Sequence, residues 1–160
     1  MINENEFVLD KIDLQILNLM QENSRISNAD IAREVGMAPS GVLERVKKLE
    51  QKKVIQQYTT RINPVALQQK LLAFIFIKAN VGPGCDNLVT DEIAKIPEVQ
   101  EVHHVAGDDC YLVKIRTYDS ASLMNIMRTH FSQIPNIQST RTTIVLETVK
   151  EQQQLVIPIK

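Results

Sequence analysis

The sequence predicts an α+β chain: an N-terminal helix-turn-helix domain of winged-helix-like type, then a ferredoxin-like βαββαβ domain. Three observations predict it. Residues 30–55 carry a short apolar helix pattern, a glycine break and a second helix pattern with two opposed faces. Beyond Pro64 the hydrophobic pattern changes to strand, helix, strand, strand, helix, strand. The chain has 160 residues, 44% of them hydrophobic, which suffices for two small cores. The expected organisation is a helical domain over 1–60, a linker strand or hinge over 61–70, the βαββαβ domain over 71–150 and a tail over 151–160.

The first helix is expected over 9–21, where Leu9, Ile12, Ile16, Leu19 and Met20 share a face and Asp10 and Asp13 suit the positive end of the helix dipole. Ser27 followed by Asp30 forms an acidic variant of the capping box. Ile31, Ala32 and Val35 then supply an apolar face, and Gly36 stops the helix in a conformation that glycine tolerates. Pro39 suits the first turn of the next helix, where its missing N–H leaves no bond unmade, although Ala38 is a poor cap.

That next helix, from Pro39 to Glu50, places Val42, Leu43, Val46 and Leu49 on one stripe and Gly41, Glu44, Arg45 and Lys48 on the other. Arg45, Lys47, Lys48, Lys52, Lys53 and Arg61 outnumber Glu44 and Glu50 over this stretch, although the whole chain has a net charge of −1. Local positive charge on a helix clamped by its apolar side fits a DNA major groove. The bland reading of the same charges is a solvated helix face. Residues 54–62 are rich in β-formers before Asn63-Pro64 and read as a strand leaving this domain.

In the second half, strands are expected over 71–81, 99–106, 111–117 and 139–149. Helices are expected over 86–96, marked by Val89, Ile93 and Ile96, and over 120–133, marked by Leu123, Met127 and Phe131. Gly82-Pro83-Gly84, Ile96-Pro97, Gly107-Asp108-Asp109 and Ile134-Pro135-Asn136 fall where this topology turns. In the first strand Ala73, Ile75 and Ile77 alternate with Leu72, Phe74 and Phe76, so both faces are apolar. A second copy of the sheet is the simplest cover and yields a two-fold dimer; the alternative is cover by the linker strand.

Other classes fit poorly. The apolar run from Leu71 to Ile77, bracketed by Lys70 and Lys78, is far short of the roughly 20 residues that span a bilayer. The acidic start, with Glu4, Glu6 and Asp10, does not resemble a secretion signal, so a cytoplasmic location is expected. Cys85 and Cys110 have no metal or redox spacing. His103 and His104 are consecutive in a strand and point to opposite faces, and His130 has no motif around it. Without a nucleophile and base pair, a phosphate loop or a metal spacing, no enzyme and no cofactor is expected.

The segments Asp10-Lys11-Ile12-Asp13, Arg25-Ile26-Ser27-Asn28 and Leu43-Glu44-Arg45-Val46-Lys47-Lys48-Leu49-Glu50 resemble the Lrp/AsnC, or feast/famine, family of transcription regulators. Pro97-Glu98-Val99, Gly107-Asp108-Asp109-Cys110-Tyr111-Leu112-Val113-Lys114-Ile115 and Thr140-Arg141-Thr142-Thr143-Ile144-Val145-Leu146 are similar to that family's regulation-of-amino-acid-metabolism (RAM) domain. The resemblance covers nearly the whole chain. It implies a sequence-specific regulator that dimerises through its sheet, often assembles to octamers, associates with the nucleoid and responds to an amino acid or related effector. It also implies an effector crevice at Gly107, Asp108, Asp109, Cys110 and Tyr111, with Thr140 and Thr142 nearby. Cys110 stands where the family often carries an acidic residue. That departure implies an unusual effector, no effector, or Asp108 or Asp109 in the role of the missing carboxylate.

In the expected DNA complex, Arg45 and Lys48 meet bases or phosphates, Lys47, Lys52, Lys53 and Arg61 bind phosphates, and Ser40 and Gly41 allow close approach. Glu44 either accepts a bond from cytosine or pairs with Lys48. Arg45→Ala is then expected to relax site preference and Lys52→Ala to weaken binding to all sequences. The competing reading with the same helix is a nucleoid-organising protein that wraps DNA without an effector response.

Overall fold

The first helix, α1 (Lys11–Glu22), begins with a reciprocal pair. The Asp13 N–H donates to Asp10 Oδ1 at 2.8 Å and the Asp10 N–H donates to Asp13 Oδ2 at 3.2 Å. Two backbone donors that a helix start leaves unpaired are satisfied in this way. The computed structural model describes residues 8–80 and 86–158; the turn expected at Gly82-Pro83-Gly84, Cys85, Glu4 and Glu6 lie outside the described residues.

The second helix, α2 (Asn28–Val35), is capped by Ser27, whose Oγ accepts from the Asp30 N–H at 3.1 Å and donates to Asp30 Oδ2 at 2.6 Å. Gly36 ends it at φ 69°, ψ 37°, a left-handed geometry in which a Cβ is strained. The third helix, α3 (Pro39–Gln51), has proline in its first turn and no side-chain cap at Ala38, as its sequence requires. Ile16, Ile31, Ala32, Val42, Val46 and Leu49 bury together as the core of this unit. Fully burying each larger aliphatic side chain contributes about 1.5–3 kcal/mol.

Two expectations for this half are corrected. Leu43 is 41% exposed, because its position falls to the side of the stripe that Val42, Val46 and Leu49 form. Residues 54–63 form no strand: among the described residues the sheet contains only four strands, none of them here, so the β-formers of this segment have no ladder to join. Residues 64–68 are turns, with the Ala66 N–H donating to Asn63 O at 3.1 Å and the Leu67 N–H to Pro64 O at 3.2 Å.

The second half follows the order β1 (Leu71–Ala79), α4 (Asp86–Ala94), β2 (Val99–His104), β3 (Tyr111–Thr117), α5 (Ser120–Thr129), a single 3-10 turn (Phe131–Gln133) and β4 (Ile137–Ile144). The sheet order β2-β3-β1-β4 is antiparallel throughout, which is the βαββαβ arrangement the sequence predicts. Ala73, Ile75, Ile77, Val113 and Ile115 pack against Val89, Ile93, Leu123, Ile126 and Phe131 in one core. The last strand ends five residues earlier than expected. Ile144 pairs with Ala73 and the Val145 N–H reaches Leu72 O at 2.9 Å, so the pairing runs out where β1 begins.

The chain forms two compact units, Met1–Thr60 with Glu151–Lys160, and Arg61–Lys150. No described helix is long and apolar enough to cross a membrane.

Candidate nucleic-acid interface and effector crevice

The outward face of α3 exposes Ser40, Leu43, Glu44, Lys47 and Lys48, while Val42, Val46 and Leu49 on the inner face are buried. Lys52 and Lys53 follow the helix end and are also exposed. This face comes from a periodic sequence: three apolar positions at helical spacing set which way the bases turn. Gly41 is half-buried, and a Cβ there would meet the Met37 methyl at 3.1 Å, so its small size leaves room for the Met37 side chain from the turn before α3. Arg61 belongs by contact to the second unit, not to the helical one.

Arg45 pairs with carboxylates within the helical unit. Its Nη1 donates to Asp10 Oδ2 and to Asp13 Oδ1, both at 2.7 Å, and the side chain is 29% exposed while that of Asp13 is 9% exposed. The guanidinium closes the acidic start of α1 onto α3 and ties the two helices together. The Asp13 backbone N–H and, next, the Arg45 guanidinium hold the Asp10 carboxyl below the usual carboxylate range, and the two aspartates raise Arg45 in turn. Nearby, Tyr58 Oη donates to Glu50 Oε1 at 2.8 Å, and burial, then that carboxylate, push the phenol up to about 12.

In the sheet unit the residues expected to form one crevice are divided. Gly107, at φ 146°, and Asp108 are exposed in the turn between β2 and β3. Asp109 Oδ2 accepts from Arg141 Nη2 at 2.9 Å, and the Arg141 guanidinium lies 4.2 Å from the centre of the Phe76 ring. Arg141 sits between Thr140 and Thr142 on β4, so alternation places it on the face opposite to theirs. The Tyr111 side chain is only 2% exposed and packs against His104, with ring centroids 5.2 Å apart, so it is core and not crevice wall. Cys110 faces the β1 backbone, its Sγ 3.5 Å from both the N and the O of Ala79.

Thr140 instead lines a groove of about 450 Å³ between α5 and β4, floored by Met127, Phe131, Ile134 and Ile137 with Arg128 and Ser132 at its polar side. Sequence reasoning missed Arg141 and Phe76 and this groove. The signal was present: Arg141 is a lone charge between two threonines, in the register position opposite Phe76. On β2, His103 Nε2 lies 3.1 Å from Glu101 Oε2, and Lys114 Nζ of β3 donates to Glu101 Oε1 at 3.0 Å. Among the described residues no group of three His, Cys, Asp or Glu side chains could hold a metal ion.

A three-helix unit that turns out a basic recognition helix, joined to an antiparallel sheet unit with a ligand-sized groove, defines a helix-turn-helix transcription regulator with a ligand-binding domain. Residues 9–56 match the winged helix-turn-helix DNA-binding family model and residues 72–155 match the Lrp/AsnC ligand binding domain. The chain belongs to the Lrp/AsnC family of DNA-binding transcriptional regulators. It is 39% identical over 150 residues to the leucine-responsive regulatory proteins of Klebsiella pneumoniae and of Escherichia coli strain K12, covering 93% of this chain and 92% of each relative. Its fold is similar to a Neisseria meningitidis transcriptional regulator solved with L-methionine, at TM-score 0.88 and 26% identity over 94% of this chain and 98% of that one. It is also similar to a feast or famine regulatory protein of M. tuberculosis complexed with L-methionine, at TM-score 0.86 and 30% identity over 94% and 100%.

Proposed function

We propose that this regulator reads DNA through Ser40, Gly41, Glu44, Lys47 and Lys48 of α3, with Lys52, Lys53 and Arg61 on phosphates, and that an amino acid bound to the sheet unit sets its activity. The observation that carries the reading is the division of α3 into a buried apolar face and an exposed basic one. The L-methionine complexes of two structural relatives support an effector of that class. In this chain Arg141 and Asp109, beside Phe76 on the sheet face opposite the Thr140 groove, supply one charge of each sign for the α-amino and α-carboxylate groups of an amino acid.

Phe74 and Phe76 are half-buried on the sheet face opposite the helices, which supports pairing of two such faces into a dimer and higher assembly to octamers. A dimer presents two recognition helices, fitting half-sites about 34–36 Å apart or a multiple of that. The protein acts in the cytoplasm on nucleoid DNA, and it is a regulator rather than an enzyme.

Binding titrations on a fragment selected from random DNA by the protein itself, and on unselected DNA at the same salt, test this. Lys47→Ala and Lys48→Ala should each weaken the selected fragment, and L-methionine should shift its affinity. Equal affinity for both DNAs would favour a wrapping protein without sequence reading, and intact binding in both variants would remove the helix assignment.

A further inference from the structure

The last residues of the chain are docked on the DNA-binding unit. Gln21, one residue before the end of α1, makes a two-way pair with the backbone of Leu155. Its Nε2 donates to Leu155 O at 3.1 Å and its Oε1 accepts from the Leu155 N–H at 2.8 Å. Gln154 answers by donating from Nε2 to the Gln21 backbone carbonyl at 2.9 Å, one of the carbonyls that the end of a helix leaves without an intrahelical partner. Three reciprocal hydrogen bonds thus join residues more than 130 positions apart in sequence. The Leu155 and Val156 side chains stay 77% and 98% exposed, so the docking is made by backbone and carboxamide groups and not by apolar burial.

The position of this contact gives it a consequence. The chain leaves the helical unit at Thr60, forms the sheet unit, and returns to the helical unit at Glu151, seven residues after β4 ends at Ile144. The helix that receives it, α1, is the one that Arg45 clamps to the recognition helix through Asp10 and Asp13. We infer that residues 151–157 are a strap, docked through the Gln21 carboxamide, that transmits changes in the ligand-binding sheet to the DNA-binding helices beside the route through residues 61–70. This inference rests on the proposed effector response for its purpose, but the docking stands on its own geometry. Because net docking is only a few neutral hydrogen bonds, the strap is weak enough to detach when the sheet unit changes state.

The test uses the full chain with Gln21→Ala, which keeps a good helix former at an exposed helix end, and Gln154→Ala as an independent second variant. Hydrogen exchange at the Leu155 amide should accelerate about tenfold in Gln21→Ala, the factor that loss of one or two such bonds carries. On the selected DNA fragment, the shift in affinity caused by L-methionine should shrink at least fivefold in both variants, while calorimetry shows methionine binding within twofold of the unaltered protein. Unchanged exchange at Leu155 overturns the strap. So does faster exchange with an undiminished methionine shift. If L-methionine leaves the unaltered protein's DNA affinity unchanged, the effector reading fails and transmission by the strap fails with it, while the exchange result separately decides whether the Gln21 docking exists.

Discussion

Arg45 Nη1 lies 2.7 Å from Asp13 Oδ1, binding the middle of the recognition helix to the first turn of α1 across 32 positions of sequence. Asp13 is nearly buried, so removal of the guanidinium leaves a carboxylate with little solvent to replace it. Arg45→Ala should therefore lower the unfolding free energy of the helical unit by about 1–3 kcal/mol, as read by urea titration. Its effect on DNA should be a loss shared by selected and unselected fragments, not the relaxed preference that a base-reading arginine produces. A stable variant with altered site preference would return Arg45 to the groove.

The same cluster sets an acid limit. The Asp10 carboxyl titrates lower in the folded chain than its ordinary 3.8, through the Asp13 N–H first and Arg45 second. A depressed folded value means that the stabilisation is fully present above the unfolded value and is lost as pH falls through the folded one. Helical-unit stability should hold down to about pH 5 and decline below about pH 4. Asp10→Asn should flatten that decline, and an unchanged acid profile in this variant would remove Asp10 from the explanation.

Lys52 follows the end of α3 with an exposed ammonium. A phosphate contact there carries charge without base readout, so Lys52→Ala should weaken every DNA sequence alike and reduce the slope of log affinity against log salt by about 1. A slope that does not move would place Lys52 outside the interface.

Gly36 ends α2 at φ 69°, and a Cβ built there meets nothing within 4 Å. Space is therefore no obstacle, and the cost of a side chain is conformational alone. Gly36→Ala should destabilise the unit by about 1 kcal/mol and Gly36→Asn by less, since asparagine tolerates the left-handed region better. Equal midpoints for both variants in thermal melts would contradict that cause.

The elements were legible because their signals are local. Ser27 and Asp30 marked the start of α2, Gly36 its end, and Pro39 the first turn of α3, each through chemistry acting within a few residues. The alternation of Ala73, Ile75 and Ile77 with Leu72, Phe74 and Phe76 located β1 and its two apolar faces, and packing decided that the helices cover the first. The linker strand failed for the complementary reason: β-propensity over residues 54–62 describes side chains that suit a ladder, and no described strand runs beside them to form one.

The candidate sites were legible in part. A helical step of about 100° puts Ser40, Glu44 and Lys47 beyond about 130° from the centre of the buried stripe, but Arg45 only about 70° from it. That angle already marked Arg45 as a flank residue able to turn inward. In the sheet unit the family resemblance points to Thr140 and Thr142, whereas Arg141 between them lies on the opposite face.

From its residues alone, the chain determined which segments are helices and strands, which faces are apolar, and where positive charge gathers, because periodicity and capping act over a few positions. Packing decided the partnerships: Arg45 with Asp10 and Asp13, Arg141 with Asp109 over Phe76, and Gln21 with Leu155. An ion pair or a hydrogen bond depends on distances of about 3 Å between groups that lie 30 to 130 positions apart, and only the folded arrangement of helices and strands sets those distances.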